Sequence, residues 1–277
     1  MNRPRRALLS PGGIAGIILA GLPAAVAGLA TVWTPYSPVA MDFDLRFASS
    51  SWHHWLGTDQ FGRDEASRLM AGASASMLVA LATVTVATFA GSILGALAGY
   101  FLGWLDAVLR LVTDSLLAFP GILLAVAIMM ALGQTRYGII LALGLAYFPT
   151  VFRVVRGHVL SLARREFVEA SRAMGNSSAF TIYRHVLPNC RSPLIVLATS
   201  MFGWVILAES ALSFLGLGVP PPTPTWGNML AESRAYMDDD ALLSILPGLC
   251  ISAALLGVNL LGDHLRDRFD PRMRDVR

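Results

Sequence analysis

The chain has 277 residues, of which 55% are hydrophobic and only 14% charged, with a mean hydropathy of +0.60 and a formal net charge of +3. That balance excludes a soluble domain of ordinary composition and specifies an integral membrane protein. All 21 basic residues are arginine, so the chain has no lysine with which a P-loop could reach the β and γ phosphates of a nucleotide, and none for Schiff-base chemistry.

Taken in order, Arg3, Arg5 and Arg6 precede an uncharged run over 14–32 that is long enough to cross a hydrocarbon core. The rival reading, a cleaved signal peptide, asks for an apolar region of roughly 7–15 residues. Residues 33–75 are polar and rich in turn formers, which predicts an extracytoplasmic segment. Within it His54–Asp64 reads HWLGTDQFGRD, expected as a surface loop with Trp55 and Phe61 at the membrane interface and Asp59, Arg63 and Asp64 paired locally. A second span is expected over 77–101, with Gly91, Gly95 and Gly99 forming a small-residue face for close helix packing. A brief turn over 102–106 leads to a third span over 111–132, interrupted by Asp114 and Pro120, and a shorter fourth over 137–152.

A polar island follows. Over 163–174 Phe167, Ala170, Ser171 and Met174 recur at i, i+3, i+4 and i+7, with Arg164, Arg165, Glu169 and Arg172 largely on the other side, which predicts an amphipathic helix. Gly175 stands where a left-handed residue ends such a helix. Asn176 or Ser177 can cap a second one carrying Ala179, Ile182, Tyr183 and Val186, which Pro188 is expected to stop. Two further spans are expected, over 193–217 with Glu209 inside it and over 241–261, separated by a proline-rich outer loop and followed by a charged tail over 263–277.

Six spans place sixteen arginines on one side and five on the other. The positive-inside rule then puts both termini and the Glu169 loop in the cytoplasm, and it accounts for the basic residues without nucleic acid. The cysteines, Cys190 and Cys250, fall in a cytoplasmic loop and a span, so no disulfide is expected. Asp114 and Glu209 are the intramembrane carboxylates, candidates for pathway lining or for buried anchoring. For Asp114 an i, i+4 pair with Arg110 is the simpler expectation. Asp238, Asp239 and Asp240 read as a solvated turn. His53 and His54 read as interfacial side chains, so no metal site is assigned.

Glu169, Ala170, Ser171, Gly175, Leu187 and Pro188 resemble the "EAA" loop of the permease subunits of binding-protein-dependent ABC importers. Ser171 stands where that family often has Ala, and His185 where Ile is common. The His54–Asp64 segment, Glu209 with SFLGLG (213–218), TWGNML (225–230) and NLLGDHLRDRFDPR (259–272) resemble its dipeptide, oligopeptide and nickel branch. The resemblance implies an all-α, type I importer permease fold with a five-helix core over 71–262. It implies a coupling loop over 157–190 whose helix docks on a cytoplasmic ATPase, and a non-catalytic subunit that binds no cofactor. ATP and Mg belong to two partner ATPases, and the other partners implied are a second, homologous permease and an extracytoplasmic solute-binding protein in a bacterial or archaeal inner membrane. The solute is a peptide on this reading, with nickel or a metal chelate as the alternative within the branch. An intramembrane enzyme using Asp114 and Glu209 is the remote alternative.

Overall fold

The computed structural model describes residues 11–269. Arg3, Arg5, Arg6 and the end of the tail lie outside the described residues. Among those described, regular structure is helical, apart from an isolated antiparallel bridge between Thr58 and Asp64. The helices are α1 (Pro11–Ala30), α2 (Glu65–Phe101), α3 (Gly103–Leu117), α4 (Gly121–Leu132), α5 (Arg136–Leu162), α6 (Glu166–Ala173), α7 (Ser178–Thr181), α8 (Leu187–Asn189), α9 (Arg191–Phe214), α10 (Trp226–Ser233) and α11 (Leu242–Phe269).

Five of these, α1, α2, α5, α9 and α11, are long and apolar enough to cross a membrane. The run expected as one third span is instead two helices, α3 and α4, bent by 98° at their junction. Pro120 lacks an N–H and pushes Phe119 out of the α region, which explains a break at this point. Among the described residues there are thus five helices fit to span, or six if the bent pair counts as one.

The core is built on α2 and α5, the most extensive helix pair. Gly91, Gly95 and Gly99 make this contact possible. A Cβ at Gly91 would stand 2.6 Å from Val151 Cβ, one at Gly95 2.8 Å from the Phe152 carbonyl oxygen, and one at Gly99 2.9 Å from that of Arg156. Successive glycines at four-residue spacing therefore form a groove into which Val151, Val155 and Val159 fit. The first and last described helices, α1 and α11, close on each other in the same manner. Gly16 of α1 lies against Leu260 and Leu261, and Gly257 of α11 against Leu19 and Ala20. The tail expected after residue 262 is helical to Phe269 as a continuation of α11, and α1 is an integral packing element with Ala20 and Ala27 buried.

α2 begins at Glu65, well before the apolar run that starts at Met77. Asp64 caps it, accepting from the Ser67 N–H at 2.8 Å and the Ser67 hydroxyl at 2.6 Å. The segment expected as a surface loop is largely buried, with Thr58, Asp59, Gln60, Arg63, Asp64, Glu65 and Arg68 all enclosed. Several of its charges are paired: Arg63 donates to Asp59 (2.6 Å) and Glu232 (2.7 Å), and Arg68 donates to Glu232 (2.8 Å), while Glu65 Oε1 is buried without a hydrogen-bond partner. His54 Nδ1 bonds Asp64 at 2.9 Å while its ring lies on Tyr36. The aspartate run is exposed at Asp238 and Asp239, and the Asp240 carboxylate accepts from the Leu242 N–H at the start of α11.

Candidate functional site

The polar island between α5 and α9 folds as two short helical segments joined at a glycine. Glu166 and Glu169 occupy the first turn of α6, where the helix end carries partial positive charge, and Arg172 occupies the last. At its far end the Asn176 N–H reaches the Ser171 carbonyl (3.2 Å) and the Gly175 N–H reaches that of Arg172 (3.0 Å). Those two bonds are the Schellman pattern, which needs a left-handed residue at the position Gly175 occupies, and its φ is +79°. Ser177 then caps α7 by accepting from the Phe180 N–H at 3.2 Å.

Hydroxyl contacts set the angle between the segments. Ser171 and Thr181, both fully buried, share a hydrogen bond of 3.0 Å, and Asn176 Nδ2 donates to Ser171 Oγ at 3.2 Å. Serine at 171 is thus the residue that joins the two segments. Residues 182–186 are π-helical, with the Leu187 N–H bonded to the Ile182 carbonyl. The widened turn accommodates Pro188, whose ring would otherwise press on a carbonyl one turn back. Contrary to expectation, Pro188 does not stop the helix: it lies at the start of α8, and helical structure runs on toward α9.

The faces of α6 are unequal. Toward the body of the chain it turns Val168 and Ser171, while Phe167, Ala170 and Met174 of the predicted stripe are exposed. Phe167 is 40% exposed and Met174 73%, and the next segment adds Phe180 at 46% and Tyr183 at 78%. Glu169 and Ala170 are exposed on the same element, while Leu187 and Pro188 are half-buried at the hinge's other end. The physical reason is that the inward side is held by small and hydroxyl side chains, which leaves the larger apolar residues outward. His185 packs edge-on to Phe180 at 5.8 Å and near Phe167 at 6.5 Å, bridging the two aromatics of this outward surface.

The hinge is tied to the body at an unexpected place. Arg172 Nε donates to the Tyr100 hydroxyl at 3.0 Å and its guanidinium carbon lies 4.5 Å from the Tyr100 ring centre. Cys190 is fully buried, and burial pushes its thiol up; both cysteines are free.

The intramembrane carboxylates are not brought together. Asp114 is exposed and accepts from Arg153 at 3.1 Å, not from Arg110, in a recess lined by Arg110, Asp114, Phe152, Arg153 and Arg156. An arginine preceding an acid by four residues is the weaker orientation of an i, i+4 pair, and Arg153 reaches across from α5 instead. The stronger pair was not visible as such in sequence: Asp106, in the first turn of α3, grips Arg156 through two bonds of 2.5 and 2.7 Å.

Glu209 lies elsewhere, fully buried, accepting from the Ser213 hydroxyl at 2.9 Å and the Ser76 hydroxyl at 3.3 Å. Ser76 Oγ in turn accepts from the Trp226 N–H at 3.2 Å, so one carboxylate pins α2, α9 and α10. The 213–218 and 225–230 segments meet here. A Cβ on Gly227 would stand 2.7 Å from Ser210 Cα, and Asn228 Nδ2 donates to the Val219 carbonyl at 2.6 Å.

Residues 91–275, most of the chain and all of the hinge, match the family described as the binding-protein-dependent transport system inner membrane component. The chain is 40% identical to the dipeptide transport system permease protein of Alkalihalophilus pseudofirmus over 261 residues, 94% of this chain and 86% of that one. It is 40% identical to the di/tripeptide transport system permease protein of Pseudomonas aeruginosa over 248 residues, 87% and 82% of the two chains. It is 39% identical to the glutathione transport system permease protein of Pectobacterium atrosepticum over 233 residues, 84% and 77%. With the family match spanning the core and the hinge, and relatives aligned along nearly the whole length, this chain belongs to the inner membrane permease components of binding-protein-dependent ABC importers, in the peptide branch.

Proposed function

We propose that this chain forms half of the translocation pathway of an ATP-driven importer of di- or oligopeptides. The observation that carries the coupling part of this reading is the outward apolar surface of Phe167, Met174, Phe180 and Tyr183 on a hinged helix pair, with Glu169 exposed beside it. A short helix that turns its large apolar residues away from its own protein is suited to a groove on a partner. With no lysine, the chain lacks the P-loop residue that would hold the phosphates, so a separate ATPase subunit supplies ATP and Mg.

On this reading α3 and α4 together make the third of six spans, both termini are cytoplasmic, and two ATPases grip this chain and a homologous second permease. An extracytoplasmic binding protein delivers the solute. Glu169, Ala170, Ser171 and Gly175 position the contact, with Leu187 and Pro188 anchoring the loop's return to α9. The approach of the ATPases moves the hinge, and the two access states differ in free energy through that contact. Peptide is the solute we favour because the relatives named above carry peptide or glutathione in their names.

The test is reconstitution of the full importer in vesicles with labelled dipeptide inside and outside arms. ATP-dependent accumulation of dipeptide supports the reading. Accumulation of free nickel or a nickel chelate instead of peptide overturns the solute assignment.

A further inference from the structure

The hinge described above sits in sequence between α5 and α9, yet among the described residues its long-range polar contact with the body of the chain is to neither. Arg172 crosses to Tyr100, in the last turn of α2, combining a hydrogen bond of 3.0 Å with a guanidinium placed 4.5 Å from the ring centre. Tyr100 is itself buried and braced edge-on by Phe101 at 5.2 Å. From there α2 runs unbroken for 37 residues with no internal proline, a rod about 55 Å long. Its last third packs closely on α5 through the Gly91, Gly95 and Gly99 groove.

At the rod's far end, one face carries Leu69, Gly72 and Ser76, and all three meet α10. The Leu69 carbonyl accepts from Trp226 Nε1 at 3.2 Å, a Cβ on Gly72 would stand 3.2 Å from the Trp226 ring, and Ser76 Oγ accepts from the Trp226 N–H. Arg68, at the helix's first turn, adds its bond to Glu232 of the same α10. An unbroken helix is thus fastened at one end to the hinge and at the other to α10.

We propose that α2 is the element that carries the ATPase-driven displacement of the hinge to the extracytoplasmic helix α10, and that the Arg172–Tyr100 contact is the joint through which it does so. Tyr100 and Arg172 are positioning residues: they touch no solute and no nucleotide. The proposal rests on the importer reading, and its consequence is specific. Weakening the joint leaves ATPase binding and basal hydrolysis in place, while the outer face stops following the nucleotide state.

The experiment uses the complete importer. Hydrogen exchange is measured over 166–190 and over 226–236 with and without vanadate-trapped nucleotide, together with ATP hydrolysed per peptide imported. In the unmodified importer trapping alters exchange in both segments. In Tyr100→Leu the change over 166–190 persists, the change over 226–236 is lost, and ATP consumed per peptide rises about fivefold or more. Tyr100→Phe keeps the ring under the guanidinium and gives an intermediate ratio. Arg172→Gln, at an exposed side chain, repeats the loss and serves if Tyr100→Leu does not assemble. An assembled Tyr100→Leu or Arg172→Gln importer with an unchanged ratio and an unchanged outer response overturns the joint. Failure of the ATPases to bind the unmodified chain overturns the importer reading itself, so the two outcomes are distinct.

Discussion

Gly175 separates backbone conformation from available space, because its φ is +79° while a Cβ built there would meet nothing within 4 Å. Any effect of substitution at this position therefore measures the left-handed conformation alone. Forcing an ordinary residue into it costs about 1–2 kcal/mol, more for a β-branched one, and asparagine tolerates it best. With the Schellman bonds from Gly175 and Asn176 dependent on that conformation, the same free energy is withdrawn from the docking-competent hinge. A penalty of 1–2 kcal/mol is a factor of roughly 5–30 in its population. The expected order of apparent affinity for the ATPase, read by titrating purified ATPase onto the permease pair, is Gly above Asn above Ala above Val. The Gly175→Val importer is expected to lose about that factor, with its thermal stability little changed. Equal affinities for Gly175→Val and Gly175→Asn would refute the reasoning, since space cannot distinguish them.

Gly95→Leu is expected to separate α2 from α5, since even a Cβ would stand 2.8 Å from a backbone oxygen that cannot swing aside. Overpacking of about 1–3 kcal/mol or more should appear as a lowered melting temperature in detergent. Asp106→Asn, which breaks the bidentate grip on Arg156, should cost about 1.5–3 kcal/mol. Asp114→Asn should cost under about 1 kcal/mol, because that pair is 53% and 65% exposed. Parallel unfolding titrations check both. Glu209→Gln keeps one acceptor oxygen and turns a donor NH2 toward the other serine hydroxyl, which can rotate to accept it, and is expected to sustain peptide uptake. Glu209→Ala leaves those hydroxyls unpaired and should lower stability by about 1–3 kcal/mol. Uptake lost in a folded Glu209→Gln importer would instead assign the charge to the pathway.

The membrane-crossing helices were legible because an uncharged run has few alternatives once water is excluded. Their ends were not. α2 starts at Glu65, capped by Asp64, and the charges at that end are enclosed because Arg63 and Arg68 find Glu232, a partner more than 160 residues away that no window along the chain reaches. For the same reason the HWLGTDQFGRD segment reads as a surface loop: its charges can pair locally, as Arg63 does with Asp59, and nothing nearby in sequence points to Glu232. Proline marked the α3–α4 break, though not its 98° angle. At Pro188 the same residue misled, because the π-turn before it absorbs the clash.

Within the hinge, Gly175 and the Ser177 cap follow from local chemistry and could be read directly. Which face turns outward could not, since periodicity identifies an apolar stripe but not whether its partner lies in the same chain. Phe167 and Met174 fit a core as well as they fit a docking surface, and only their exposure decides. Tyr100 and Arg172 carried no signal at all. Each is an ordinary residue in its own segment, and their pairing depends on how the hinge folds back onto α2.

Assembly with an ATPase is tested by a mild-detergent pull-down of this chain from its native membrane, with the accompanying proteins identified by mass spectrometry. Two copies of an ATPase, a second homologous permease and an extracytoplasmic binding protein are expected, with the ATPase lost selectively in Gly175→Val. A folded chain recovered without any ATPase would contradict that assembly.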